Sequence, residues 1–372
     1  MNDKVLLKSN FYDRFKCIAG DCKFTCCAGW RITIDKQEFE NYQNKGMDIC
    51  TKEDENHFCM KMDDEYKCVC LNKDGLCQLV VDGGDEAIGY TCQSFPRHSA
   101  MNGDIQELYL SNACPAVIKL FMQETNPMVF MLEDEQVPIR HGLVNWKYVD
   151  SRDLAIDIMQ LRDFPYWTRL YMLYMWAREA QLAINEGMYE AVENKFLQGR
   201  MLVDMQDSLM KAQIDDRLII QSHYELFEKL IFEKSKDYGT RTYLLPIVKQ
   251  IPFWEIDDLI PQKYEFDDVF SQYDTLMEHV CVNVLFVHSC EEEDEDYFEN
   301  RVIAIVLEMA VIKITCFYTW LLHDKQLTDD NVCEIVTYWA RNLEHNNAVY
   351  KYIVKLKEIG EINKGKLLLY IR

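Results

Sequence analysis

Apolar residues change their period partway along this chain. Near its start Trp30, Ile32 and Ile34 alternate with Arg31, Thr33 and Asp35, the two-residue period of a half-buried strand. The stretch KQEFENYQNKG predicts a short helix ended by Gly46. CVCLNKDGLCQLV predicts two short strands about an Asp74-Gly75 turn, and Pro115 is placed for the first turn of a helix beginning just after Cys114. Residues 126–150 lack a helical period and predict a connection. Beyond them the period becomes helical, with amphipathic segments over 151–162, 165–186, 188–212, 215–235, 240–250, 269–290, 299–323, 328–345 and 347–358. Tyr, Trp and Met stripes in PYWTRLYMLYMWAREAQLAI recur at helical spacing, as core packing requires. The run EEEDEDYFEN predicts a solvated loop between two helices.

This pattern predicts a mainly α protein. A cysteine-rich α+β region with short strands, residues 1–125, would form a metal-cluster domain; 126–150 would connect it to an all-α helical domain over 151–372. The apolar run Val302–Leu322 is long enough to cross a bilayer, but Glu308 and Lys313 interrupt it, which predicts a buried bundle helix and no membrane partner. The opening MNDKVLLKSN mixes charge with leucine, so no secretory leader is expected and a reducing cytoplasm is the expected compartment.

Net charge changes the picture by exclusion. At −22 in 372 residues, the chain lacks the basic face that a nucleic-acid groove needs, and an acidic surface tolerates a basic, lysine-presenting partner.

Cysteine changes it by addition. Of fifteen cysteines, eleven fall between Cys17 and Cys114, while Cys281, Cys290, Cys316 and Cys333 sit in apolar segments and read as core residues. In a reducing compartment so many thiols point to metal rather than disulfides. The run is Cys17-x4-Cys22-x3-Cys26-Cys27, Cys68-x-Cys70-x6-Cys77, then Cys92 and Cys114. Soft thiolates in this number select zinc or an iron–sulfur centre. Paired C-x2-C knuckles are absent, and ligands scattered over about a hundred residues favour an iron–sulfur cluster, with zinc the alternative. Cys50, Cys59 and Cys68 lie in a charged stretch and read as free thiols or accessory ligands.

FKCIAGDCKFTCCAGWRITIDKQEF, CVCLNKDGLC, TCQSFPRH and SNACPAVIKLF resemble the cysteine-rich motifs of the flagellin lysine-N-methylase (FliB-like) family, related to cysteine-rich zinc- or iron-chelating domains. The resemblance covers Cys17, Cys22, Cys26, Cys27, Cys70, Cys77, Cys92 and Cys114, in order. LMEHVCVNVLFVHSC resembles the family's apolar segment around an Asn, here Asn283. YWARNLEHN resembles its Arg-x-x-Glu-His motif, here Arg341, Glu344 and His345.

What the resemblance implies is methyl transfer from S-adenosylmethionine to lysine side chains of flagellin by a cytoplasmic enzyme carrying a [4Fe-4S] cluster on those eight cysteines. Cys22-x3-Cys26-Cys27 differs from the Cys-x3-Cys-x2-Cys run of radical enzymes, and no glycine-rich strand-to-helix turn is present to hold the cofactor. Lysine must lose its proton before it attacks a methyl group. Glu344 and His345 are therefore the expected proton acceptors. Arg341 is expected to pair with the cofactor carboxylate, with Arg97 and Asn283 as further cofactor-binding residues. The competing reading makes Arg341 and Glu344 a structural ion pair. The rival functions are a non-catalytic zinc- or iron-binding protein and a lysine methylase acting on another protein.

Overall fold

A computed structural model describes the chain apart from residues 1–4, 23, 104, 134–145, 198, 213, 232–242, 289–295 and 345–346. His345, Cys290, half of the acidic run at 291–300 and much of the connection at 126–150 therefore lie outside the described residues.

The cysteine-rich region is built on two small sheets. Strand β1 (Val5–Ser9) opens the chain, followed by β2 (Thr33–Ile34), helix α1 (Lys36–Asn44), β3 (Cys50–Lys52) and β4 (Phe58–Met60). The strands β2, β4 and β3 pair antiparallel in that order. Asp35 begins α1 with a reciprocal capping box to Glu38, and Gly46 follows its end with φ 71°, a left-handed value that disfavours a side chain. Thus WRITID yields a strand of only two residues. The expected hairpin about Asp74-Gly75 is reduced to one bridge, Leu71 to Cys77, because the chain turns directly into α2 (Gln78–Gly83).

Helix α3 (Tyr90–Ser94) carries Cys92 and leads into β5 (Arg97–Asn102) and β6 (Ile105–Leu110). Helix α4 (Pro115–Met122) starts with Pro115 in its first turn, as expected, and β7 (Phe130–Glu133) falls within the stretch read as connection. These strands form a second sheet in the order β5, β6, β1, β7, with β1 parallel to β6 and antiparallel to β7.

The rest is helical: α5 (Trp146–Gln160), α6 (Tyr166–Glu186), α7 (Tyr189–Leu197), α8 (Arg200–Lys211), α9 (Asp216–Ile231), α10 (Leu245–Gln250), α11 (Ile256–Phe270), α12 (Asp274–His288), α13 (Tyr297–Leu322), α14 (Asp329–Leu343), α15 (Asn347–Glu358) and α16 (Lys364–Ile371). The mainly α class with an α+β N-terminal region is thus the observed one. The segment expected at 188–212 is two helices, since Gly199 takes a left-handed φ of 70° between them. α11, with Pro261 inside it, and the short α16 went unpredicted.

Helix α13 is the axis of the bundle. It is long and apolar enough to span a membrane, but most of its apolar window is buried, packed by α6, α14 and α16. Trp176, Trp320 and Trp339 are at most 2% exposed in this core. The core does not stop at residue 125: Phe11, Phe15, Phe24, Leu110 and Val117 join the same apolar cluster as the helices. A separate small cluster comprises Ile32, Ile34, Tyr42, Phe58 and Met60 with Cys50, Cys68 and Cys70.

Candidate functional site at the thiol–helix seam

Nine of the eleven N-terminal thiols fall into two neighbourhoods. Cys17, Cys22, Cys26 and Cys114 lie around the loop after β1 and the start of α4, beside Arg341 of α14. Burial pushes the Cys114 thiol up to about 11, reinforced by Cys22 and Cys17, and burial likewise raises Cys22. Cys27, Cys68, Cys70, Cys77 and Cys92 gather instead against the small apolar cluster, where the Cys68 amide donates to the Cys27 carbonyl at 2.7 Å. Burial, then Cys27, Cys68 and Cys77, push Cys92 up to about 12. Cys26 and Cys27 join the two groups. The Cys26 thiol donates to Cys27, which raises Cys26 and lowers Cys27 to about 6.

Cys68, read from the sequence as a free or accessory thiol, hydrogen-bonds Cys70 and belongs to the second group. By contrast Cys59 accepts from Arg31 Nε at 2.8 Å and Cys50 from Gln43, which gives both a local structural role. The supply of soft, half-buried thiols suits iron–sulfur or zinc chemistry. Among the described residues, however, no three Cys, His, Asp or Glu side chains converge closely enough to hold a metal ion.

A polar seam fastens this region to the bundle. Arg341 donates from Nε to the Ala113 carbonyl at 3.1 Å, from Nη1 to Ala28 at 3.2 Å and from Nη2 to Phe24 at 2.9 Å. Its guanidinium lies over the rings of Phe24 and Trp30. Burial lowers Arg341 to about 10, opposed by the surrounding thiols, so it stays charged at neutral pH. Arg97 similarly donates to the Phe15 carbonyl at 3.0 Å and stacks on Tyr12 and Phe15. Asn283 donates to the Leu110 carbonyl and to Asn112 Oδ1, both at 2.8 Å. The three residues expected to bind cofactor are thus all engaged in fastening loops and strands.

Asn112, which the sequence did not single out, connects these groups. Its Nδ2 donates to the Val280 carbonyl at 3.2 Å and to Glu344 Oε1 at 2.9 Å. Glu344, at the C-terminal cap of α14, is partly exposed and also hydrogen-bonds Glu308 of α13. Burial pushes Glu344 up to about 7, opposed by the hydrogen bonds from Asn112 and Glu308. Arg341 and Glu344 are three residues apart, yet the bonds found for them run to different partners: the guanidinium to carbonyls, the carboxylate to Asn112 and Glu308. Two cavities are lined elsewhere, one by Glu225, Glu228, Lys229, Gly360, Glu361 and Lys366, the other by residues around His223, Lys263 and Asp267; neither borders these groups.

An α-helical bundle clamped to a thiol-rich α+β region, with the Glu344–Glu308 carboxyl pair at their seam, is a mainly α protein with a thiol-bearing N-terminal part. Residues 152–370 match the family model for the FliB lysine N-methylase C-terminal domain, and the chain belongs to that family. It is 27% identical over 169 residues to the flagellar biosynthetic protein FliU of Salmonella muenchen, covering 42% of this chain and 98% of that protein. It is 28% identical over 141 residues to a lysine-N-methylase of Salmonella typhimurium, and equally to one of Salmonella choleraesuis, covering 34% of this chain. Those matches span only 35% of the two methylases' own length. No solved structure matches.

Proposed function

We propose that this protein is a cytoplasmic lysine methylase that uses S-adenosylmethionine to methylate lysine side chains of flagellin, and that its cysteine-rich region holds an iron–sulfur centre. The observation that carries the chemistry is Glu344: a half-buried residue at the seam of the two regions, bonded by Asn112 at 2.9 Å, whose carboxyl burial pushes up to about 7. Family membership and the names FliU and lysine-N-methylase support the reaction class and the flagellar substrate. Fourteen described cysteines, all free thiols, accord with a reducing compartment.

In this reading Glu344 takes one proton from the substrate ammonium group. An N–H bond breaks, an O–H bond forms, and the lone pair freed on nitrogen can attack the methyl group. S-adenosylmethionine would supply an electrophilic sulfonium methyl and leave as a neutral thioether. Arg341, Arg97 and Asn283 would hold the cofactor while also fastening loops through their carbonyl and Asn112 contacts. Cys17, Cys22, Cys26 and Cys114, and Cys27, Cys70, Cys77 and Cys92, are the thiols from which cluster ligands would come. Among the described residues no three of them converge on one point, and the proton transfer to Glu344 needs none of them.

The test pairs two measurements on protein purified without oxygen. Iron, zinc and acid-labile sulfide are assayed, and flagellin incubated with enzyme and S-adenosylmethionine is analysed by peptide mass spectrometry. Methyl-lysine that disappears in Glu344→Gln supports the reading. Flagellin left unmethylated removes it as substrate, and zinc without sulfide removes the iron–sulfur centre.

A further inference from the structure

Helix α13 carries an acidic residue where its neighbours are apolar. Glu308 is 2% exposed, among Ile305, Val306, Met309 and Ile312. An ionised carboxylate alone in such surroundings is costly. Among the described residues its Oε1 has no hydrogen-bond partner, and the carboxyl group that contacts it is Glu344. Two carboxylates cannot hydrogen-bond each other unless one bears a proton, because an ionised carboxylate only accepts. Glu344 already accepts from Asn112 on Oε1 and is the more exposed of the two. The proton therefore resides on buried Glu308, which donates to ionised Glu344.

The amide orientation beneath the pair is also determined. Asn283 Nδ2 donates to the Leu110 carbonyl and to Asn112 Oδ1, so Asn112 must turn its Nδ2 toward the Val280 carbonyl and Glu344. Glu344 is thus held from two sides by donors, one on α13 and one on the segment just before Cys114.

We infer that Glu308 is a positioning residue: its protonated carboxyl holds Glu344 oriented and ionised, ready to accept the ammonium proton of a substrate lysine. This rests on the methylase reading. Among the described residues the ionisable groups facing Glu308 are Glu344 from α14 and the Cys281 thiol from α12; Cys281 is itself raised by burial and does not compete for the proton. Facing Glu344 is Glu308, while Arg341, one turn back on the same helix, directs its guanidinium to Phe24, Ala28 and Ala113. When the ammonium N–H bond breaks, the new O–H bond forms on Glu344, which passes the proton on to solvent before the next turnover.

Two variants separate donation from mere packing. Glu308→Gln keeps the shape and supplies an amide donor; Glu308→Leu keeps the bulk and removes the donor. The acid limb of kcat/KM should stay within a few tenths of a pH unit in Glu308→Gln. In Glu308→Leu it should move upward by about one unit, an approximately tenfold loss of rate below the limb. The pH at which folding stability declines, followed by urea midpoints across pH, should show the same order without any substrate. Equal limbs and equal stability profiles in wild type and Glu308→Leu would overturn the inference. Wild-type protein without methyl transfer would overturn the functional reading instead, and the stability profiles would then decide the pairing alone.

Discussion

Arg341 offers the sharpest structural test, because one side chain ties helix α14 to three carbonyls on two stretches of cysteine-rich backbone, the loop at Phe24–Ala28 and Ala113. Arg341→Ala removes three guanidinium hydrogen bonds, to Phe24, Ala28 and Ala113, and the stacking on Phe24 and Trp30. A hydrogen bond to a charged donor contributes about 1.5–3 kcal/mol, and the three are not additive because they share one side chain. Stranding three half-buried carbonyls, at about 1–3 kcal/mol each and less than additive, should cost about 3–5 kcal/mol in all. Arg341→Lys keeps the charge but not the planar fork, and should recover only part of this. Urea midpoints of the three proteins under reducing, oxygen-free conditions measure the global effect. Amide exchange over Phe24–Trp30 measures the local one, and that segment should exchange faster in both variants. A change below about 0.5 kcal/mol in Arg341→Ala, with exchange at Phe24–Trp30 unaltered, would refute the clamp.

Glu344 predicts a pH dependence of stability. Its folded pKa, about 7, lies above its ordinary value of 4.5, so the folded protein binds more protons between those limits. Stability should then be highest below about pH 4.5 for this group and fall as pH rises to 7, by on the order of 2–3 kcal/mol. Glu344→Gln should flatten that slope, which denaturant midpoints at several pH values would check. Glu278, fully buried, is gripped by Arg162 at 2.8 Å and Arg169 at 2.6 Å. Glu278→Ala should cost about 3–5 kcal/mol in thermal or urea unfolding by leaving Arg169 unpaired. Trp339→Phe removes the Nε1 donation to Thr315 at 2.9 Å and should cost about 1–3 kcal/mol by the same measurements. If the two thiol neighbourhoods are independent, Cys92→Ser should change bound metal or thiol reactivity in the second group and leave the reactivity of Cys17 unchanged, as differential alkylation would show.

Sequence periodicity located most helices because each long one buries a continuous face. It failed at α11, where Pro261 lies within the helix, and at Gly199, where a left-handed residue splits one amphipathic run into α7 and α8. It overstated the hairpin at Asp74-Gly75 because turn residues specify a reversal without guaranteeing that the following residues extend as a strand. The thiol inventory was equally legible. Its division was not, since Cys26 and Cys27 are adjacent in the chain while their further neighbours come from different elements.

The chain by itself determined a helical C-terminal portion, a thiol-rich start and an Arg-x-x-Glu pair near its end, because these follow from local spacing and residue type. Only the tertiary structure decided what the pair does. Arg341 turned to carbonyls and Glu344 to Asn112 and Glu308, groups up to 317 residues away in sequence for the former and 232 for the latter. Side-chain partners at such separations are chosen by helix packing and by burial that forces each polar atom to find a donor or acceptor, and neither is written in any local period.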